Sequence, residues 1–340
     1  MAAVPALTFE AIDEAQPGPE WQRRFESHWP AYKRWFLSAG DAARPSYLAS
    51  LRQLKEHMPE LVPVYERMVA LAGGGDMAAR FLAHYCPPPF FGACSQAVWL
   101  DGAPALVRSY DYSPLLCDGL IMRTRWGRRG VIAMTDGMSG VLDGMNDDGL
   151  AVSLAFGGRR VVGEGFGMAL VLRYLLETCG DVAAASAALR RIPVHVAYNI
   201  ALVDRGGDHA VAMISPDRAP VIEQARVSTN HQGAIDWPRY ARLIQTKQRH
   251  AYLTDVLSDS NETLDHLTDR FLAPPLYRTT YAQGYGTLYT AVYLPGSGEA
   301  RFLWPGVKWR QGFARFEERV KTITYSEITP ETGDRQQGHG

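Results

Sequence analysis

Phe90-Phe91-Gly92-Ala93-Cys94-Ser95-Gln96-Ala97-Val98-Trp99-Leu100-Asp101-Gly102-Ala103-Pro104-Ala105-Leu106-Val107-Arg108-Ser109-Tyr110-Asp111-Tyr112 is the stretch that decides how the rest of the chain is read. A run that alternates like a strand starts at Cys94, turns at Asp101-Gly102 and returns carrying Arg108 and Asp111. Strand, Asp-Gly turn, strand is a hairpin signal, because that dipeptide tolerates the positive φ angles of a tight turn. Cys94 then opens the first strand while Arg108 and Asp111 close the second, so a thiol, a guanidinium and a carboxylate meet at one end. A neighbouring cation favours the thiolate, and a carboxylate can orient a proton carrier.

Upstream, Cys86-Pro87-Pro88-Pro89 cannot be helical, since each proline lacks an amide hydrogen and biases its predecessor toward extended geometry. It is a stiff linker that delivers the chain to Cys94. Before it, residues 1 to about 85 read as helical. Trp21, Phe25, Trp29, Tyr32, Trp35 and Phe36 recur three and four apart, an amphipathic stripe for packing. Leu48, Leu51, Leu54 and Met58 keep the same period, and Gly73-Gly74-Gly75 breaks the third helix.

Downstream the texture is β. Leu120 to Arg125 and Gly130 to Thr135 read as strands, as do the segments on either side of the polar turn at Asn146-Asp147-Asp148-Gly149. Arg123, Arg125, Arg128 and Arg129 form a basic cluster that is expected to be a solvated hairpin. Phe166 to Thr178 and the alanines after Asp181 are helical, with Asp181 as an N-cap. Strands return at Tyr198 to Val203, His209 to Ile214 and up to Gln232, helix from Trp237 to Leu272, and a closing hairpin from Gly286 to Leu303. This order is not the βαβα alternation of a dinucleotide-binding chain. It fits an α+β fold of two packed antiparallel sheets with helices outside each.

With 340 residues, 46% hydrophobic and 21% charged, the chain can bury a large core. Lys+Arg 35 against Asp+Glu 36 gives no reason to expect nucleic acid or an anionic membrane as partner, so the expected ligand is small. Four cysteines without CxxC spacing fit a reducing compartment. The absence of a signal-peptide pattern and of a long apolar run leads to the expectation of a cytoplasmic protein. No glycine-rich nucleotide motif and no metal-ligand spacing is present, so neither a cofactor nor a metal is expected. Cys86, Cys117 and Cys179 read as small buried hydrophobes. His195, His209 and His231 are available as bases, and spacing singles out none of them.

Phe90 to Val98, Arg108-Ser109-Tyr110-Asp111, Gly144-Met145-Asn146-Asp147-Asp148-Gly149-Leu150-Ala151-Val152-Ser153 and Thr229-Asn230-His231 together resemble the acyl-coenzyme A:6-aminopenicillanic acid acyltransferase family. That family is similar in turn to choloylglycine hydrolases and penicillin V acylases, and the resemblance extends from about Tyr85 to Tyr293. It implies the N-terminal nucleophile hydrolase fold, an αββα sandwich. Residues 1–93 would be a helical pro-segment or small chain, 94–328 the catalytic domain and 329–340 a flexible tail. It also implies self-cleavage between Ala93 and Cys94, after which the freed α-amine, with a pKa near 8, accepts the thiol proton. Arg108 would lie beside the thiol, Asp111 would hold the amine, and Asn230 would donate its side-chain amide to the oxyanion. Choloylglycine hydrolases carry an asparagine where this chain has Ala155, so a backbone amide would serve there. Ala93 stands where family members often have glycine. Arg278 is the candidate for a late arginine of the hydrolases, with a surface charge as its alternative.

The expectation is a cysteine-dependent amide hydrolase or acyltransferase acting on a small N-acyl amine or acyl thioester through an acyl-enzyme on Cys94. Two rivals stay open: a catalytically silent binding or scaffold protein, and an uncut cysteine hydrolase with His231 as base. Homo-oligomerisation stays open too. Loops Tyr112 to Leu116 and Phe156 to Arg160 are expected to wall a pocket for an apolar acyl group with an anionic end.

Overall fold

The computed structural model describes residues 6–325, so the flexible tail expected over 329–340 lies outside the described residues. The first element among the described residues is a strand where the sequence reads as helix: β1 (Ala6–Asp13). Its inward residues Phe9 and Ala11 are buried while Thr8 and Glu10 are less so, but eight residues give too short an alternation to outweigh the aromatic stripe that follows. That stripe folds as expected. In α1 (Pro19–Phe36), Pro19 occupies the first turn, and the Glu14 carboxylate accepts from the Glu20 and Trp21 amides at 3.0 and 2.9 Å. Trp21, Phe25 and Trp29 stack down one face, and Phe36 meets Phe81 edge-on. α2 (Tyr47–His57), α3 (Val62–Leu71) and α4 (Asp76–Leu82) complete this helical cover.

The predicted hairpin forms as β2 (Ala93–Trp99) and β3 (Ala105–Tyr112). Then come β4 (Leu120–Thr124), β5 (Val131–Asp136), β6 (Gly140–Asn146) and β7 (Leu150–Phe156). α5 (Met168–Thr178) is buried along nearly its whole length, and α6 (Val182–Arg191) starts on the Asp181 cap, whose carboxylate accepts from the Ala184 amide at 2.7 Å. β8 (Tyr198–Asp204), β9 (His209–Ser215), β10 (Arg218–Glu223) and β11 (Val227–Ser228) follow, then α7 (Pro238–Leu243), α8 (Thr246–Val256) and α9 (Leu264–Arg270). The closing hairpin is β12 (Gly286–Leu294) and β13 (Glu299–Trp304). Two further strands, β14 (Val307–Gly312) and β15 (Arg319–Thr324), were not foreseen.

Nine strands form one sheet in the order β10-β9-β8-β7-β6-β5-β4-β1-β15, and six form the other in the order β11-β2-β3-β12-β13-β14. Every pair is antiparallel except β1 with β4, which runs parallel. The sheets pack face to face; α5 and α6 cover the outer face of the larger one and α8 and α9 that of the smaller, an αββα order. β1 therefore lies inside the larger sheet, hydrogen-bonded on both edges, and residues before Cys94 are part of the fold's interior as well as its cover. The basic cluster is a paired surface: Arg123, Arg125 and Arg129 bond Asp13, Asp147 and Asp148. No helix among the described residues is long and apolar enough to cross a membrane.

Candidate active site

The β2–β3 register sets Cys94 opposite Tyr110, Gln96 opposite Arg108 and Ala93 opposite Asp111. Side chains alternate across a strand, so Cys94, Gln96, Arg108 and Tyr110 point between the sheets, and Ala93, Ser95 and Asp111 point toward the helical layer. Arg108 and Asp111 thus flank the thiol from opposite faces. Both are fully buried, and Cys94 is 1% exposed.

Between the sheets, Arg108 brings Nη2 to 3.9 Å from Cys94 Sγ and donates from it to the Leu154 carbonyl at 2.8 Å. Its Nη1 lies 3.0 Å from Asp143 Oδ2 and 3.0 Å from the Tyr289 hydroxyl. Tyr289 and Tyr293 each donate to Asp143 at 2.5 Å. Asp143, on β6, is the counter-ion that makes a buried guanidinium tolerable beside the thiol. It carries no motif in sequence and appears only once β6 of one sheet faces β3 of the other.

On the helix side, Asn230 follows the short strand β11. Gly158, at φ +73°, makes room for it: a Cβ there would stand 2.3 Å from the Asn230 carbonyl oxygen. The Asn230 side chain makes four bonds. Oδ1 accepts from the Cys94 amide and from Arg249 Nη2, both at 2.9 Å; Nδ2 donates to the Phe156 carbonyl at 2.9 Å and the Gly92 carbonyl at 3.2 Å. Tyr240, on α7, donates its hydroxyl to the same Gly92 oxygen at 2.6 Å. Arg249, on α8, donates to the Cys94 carbonyl at 2.7 Å and to Ser95 Oγ at 2.6 Å. Main-chain groups on both sides of the Ala93–Cys94 peptide are therefore fixed by side chains. Neither Tyr240 nor Arg249 was legible, since both lie in an ordinary helical stretch.

Asp111 Oδ1 accepts from Thr287 at 2.8 Å, and the buried Oδ2 has no partner. Burial raises the Asp111 carboxyl to about 6, with Arg249 and Arg278 pulling in the opposite direction. The Cys94 thiol is also raised, because burial outweighs the pull of Arg108. The sequence expectation of an acidified thiol is thus reversed in the uncut chain, where the group is kept dry and protonated.

Ala155 does not present its amide to the thiol. It is in register with Asn199 of β8, and the Gly157 amide bonds the Ala197 carbonyl at 2.8 Å on that same side. Strand alternation then turns the Ala155 N–H toward β8 as well. The Leu154 and Phe156 main-chain groups face the site, where Arg108 and Asn230 take their carbonyls. The histidines stand apart: His231 bonds Thr246 and is lowered to about 4 by burial, His195 holds the Gly163 carbonyl, and His209 the Gly207 carbonyl. Arg278 donates to the Leu243 carbonyl at 3.0 Å, with Nε and Nη1 buried and unpartnered on the Asp111 side. Of the arginines expected to greet an anionic group, Arg159 is engaged by Asp217 and Asp236 and Arg160 lies over the Trp237 ring.

Solved structures similar to this one include penicillin V acylase from Agrobacterium tumefaciens, at 14% identity over 68% of this chain and 91% of that one, with a TM-score of 0.46. The C2A mutant of conjugated bile acid hydrolase from Clostridium perfringens is 13% identical over 68% and 97%, with a TM-score of 0.42. The N-acylethanolamine-hydrolyzing acid amidase ortholog of Caenorhabditis elegans is 17% identical over 60% and 93%, with a TM-score of 0.44. No curated protein sequence matches. The profile of one family matches residues 99–309, a span that holds Arg108, Asp111, Asp143, Asn230, Tyr240 and Arg249 and begins five residues after Cys94. The chain belongs to the acyl-coenzyme A:6-aminopenicillanic acid acyl-transferase family.

Proposed function

We propose that this protein is a cysteine-dependent amide hydrolase or acyltransferase whose nucleophile, Cys94, is freed by cleavage of the Ala93–Cys94 peptide. The observation that carries this reading is the Gly92 carbonyl: it belongs to a residue whose Cβ would stand 3.8 Å from Cys94 Sγ, and it accepts from two side-chain donors, Asn230 Nδ2 and Tyr240 Oη. When residues up to 93 withdraw from that spot, two preorganised donors are left facing the space next to Cys94 Sγ. Such a pair suits a developing oxyanion.

The cut itself is an N-to-S acyl shift. Cys94 Sγ attacks the Ala93 carbonyl, the C–N bond breaks, and the thiol proton goes to the departing Cys94 nitrogen. Water then hydrolyses the thioester, leaving an Ala93 carboxylate, the thiol and a free α-amine. The unpartnered Asp111 Oδ2 lies next to Ala93 across the β2–β3 pair, suited to receive that amine as an ammonium.

In turnover the neutral α-amine takes the Cys94 proton and the sulfur adds to the substrate carbonyl. Asn230 and Tyr240 hold the oxygen, and the ammonium returns its proton to the leaving amine. Water or a second amine collects the acyl group. Arg108, neutralised by Asp143 on one side, lends its remaining edge to the sulfur as negative charge develops.

Intact-mass measurement of purified protein, paired with assays on a panel of N-acyl amines, tests this. Wild type should give fragments 1–93 and 94–340 with activity, and Cys94→Ala a single inactive chain. Full activity from an uncut chain would reject the terminal-amine mechanism, and an active Cys94→Ala would reject the nucleophile.

A further inference from the structure

Outside the thiol site, one cavity of about 140 Å³ lies between α1 and the ends of β3 and β5. Tyr32, Trp35, Phe90 and Tyr112 form its aromatic walls, and Asp118 and Asp136 its polar end. Leu115 and Leu116 stand at its mouth, 91% and 57% exposed. A cavity of roughly 150 Å³ accommodates one benzene ring.

The polar end is short of side-chain donors. Tyr32 has a single phenolic proton, donated to Asp118 Oδ1 at 2.5 Å, while Asp136 Oδ1 is 3.5 Å away. Asp118 is 8% exposed, yet its Oδ2 is buried without a partner. Burial raises both carboxyls, and Asp118 raises Asp136 further by like-charge repulsion. No lysine or arginine lines the cavity. Burial holds His84 near 4, and so neutral, against the opposing pull of the Gly137 carbonyl on its ring. His28 is the remaining basic group: it lines the cavity with Nδ1 on the Arg24 carbonyl and, with the Gly137 and Met138 amides, works against the burial that raises Asp118.

Two carboxyls with a single side-chain donor between them, at the end of an aromatic-walled cavity, are complementary to a group that brings positive charge and several N–H bonds at once. We propose that this cavity is a binding subsite for a primary ammonium carried on a small aromatic or aliphatic stem, with Asp118 Oδ2 and the Asp136 carboxyl as its acceptors. Its position suits a substrate's end group: the Phe90 and Tyr112 rings are 6.1 Å apart, Tyr112 is 5.7 Å from Tyr110, and Tyr110 is opposite Cys94 in register. That the ammonium belongs to a substrate rests on the reading of Cys94 given above; that it binds does not. The anionic end group expected from sequence would meet like charge here.

Isothermal titration of the purified protein, carrying all 340 residues whether cut or not, at pH 7.5 with benzylamine, benzyl alcohol and benzoate tests the subsite. Benzylamine should bind at least about tenfold tighter than the alcohol, a difference of about 1.4 kcal/mol, and benzoate weakest. Asp118→Asn and, as a second variant, Asp136→Asn should each shrink that preference to within about threefold, with melting curves reporting that the variants fold. Cys94→Ala should keep the full preference, so the subsite is judged independently of catalysis. Equal binding of amine and alcohol, preference for benzoate, no benzylamine binding, or an undiminished preference in both folded Asn variants overturns the proposal.

Discussion

Removing a single oxygen separates two roles for Tyr240. In the uncut chain its hydroxyl and Asn230 Nδ2 both bond the Gly92 carbonyl, at 2.6 and 3.2 Å. If Tyr240 only steadied that carbonyl, Tyr240→Phe would forfeit one neutral hydrogen bond. That is worth about 0.5 to 1.5 kcal/mol, a slowing of cleavage by roughly 2- to 13-fold with no effect on the processed enzyme. If the same hydroxyl serves the oxyanion, the loss falls on turnover. A missing oxyanion donor costs about 2.7 to 4 kcal/mol, or roughly 100- to 1,000-fold in kcat. Tyr240 makes the shorter of the two bonds, and burial raises its phenol so that it remains a donor across the working pH range. The expected result for fully processed Tyr240→Phe, checked by mass, is therefore a kcat about 100-fold down with KM within about threefold of wild type. Wild-type kcat from processed Tyr240→Phe would refute the two-donor cradle and leave Asn230 alone.

Asp111 makes a pH-dependent prediction. Its folded pKa of about 6 lies above that of an unfolded carboxyl, so the folded state binds the proton more tightly. The stability this group contributes is full below about pH 4 and is lost as pH rises through about 6, a change of about 3 kcal/mol. Urea denaturation of catalytically inactive, uncut protein (Cys94→Ala) with and without Asp111→Asn should give stability curves that diverge by that amount between pH 4 and 7; parallel curves would contradict it. For the inter-sheet pair, Asp143→Asn leaves Arg108 buried with no counter-ion and should cost about 3 kcal/mol in the same assay. A loss below about 1 kcal/mol would mean that Leu154 and Tyr289 satisfy the guanidinium by themselves.

The hairpin was legible because a turn dipeptide between two alternating runs is a local signal, and it brought Cys94, Arg108 and Asp111 together as expected. The two faces were legible in principle: residues three apart on a strand point opposite ways, which separates Arg108 from Asp111 by parity alone. Asp143, Tyr240 and Arg249 could not be found that way, since each reaches the site through tertiary packing of an element with no motif of its own. The thiol's acidity was misjudged because proximity of a cation is readable in a sequence and depth of burial is not. β1 was missed because its partners, β4 and β15, lie more than a hundred and more than three hundred residues away.

That first strand, hydrogen-bonded on both edges, bears on the molecularity of folding. β1 has six register pairs with β15 and four with β4, so after a cut at Ala93 the smaller product would not sit on the larger one but be threaded through its sheet. Before the cut, folding is a one-chain event. Afterwards, refolding would be second order, and the melting temperature would rise with protein concentration.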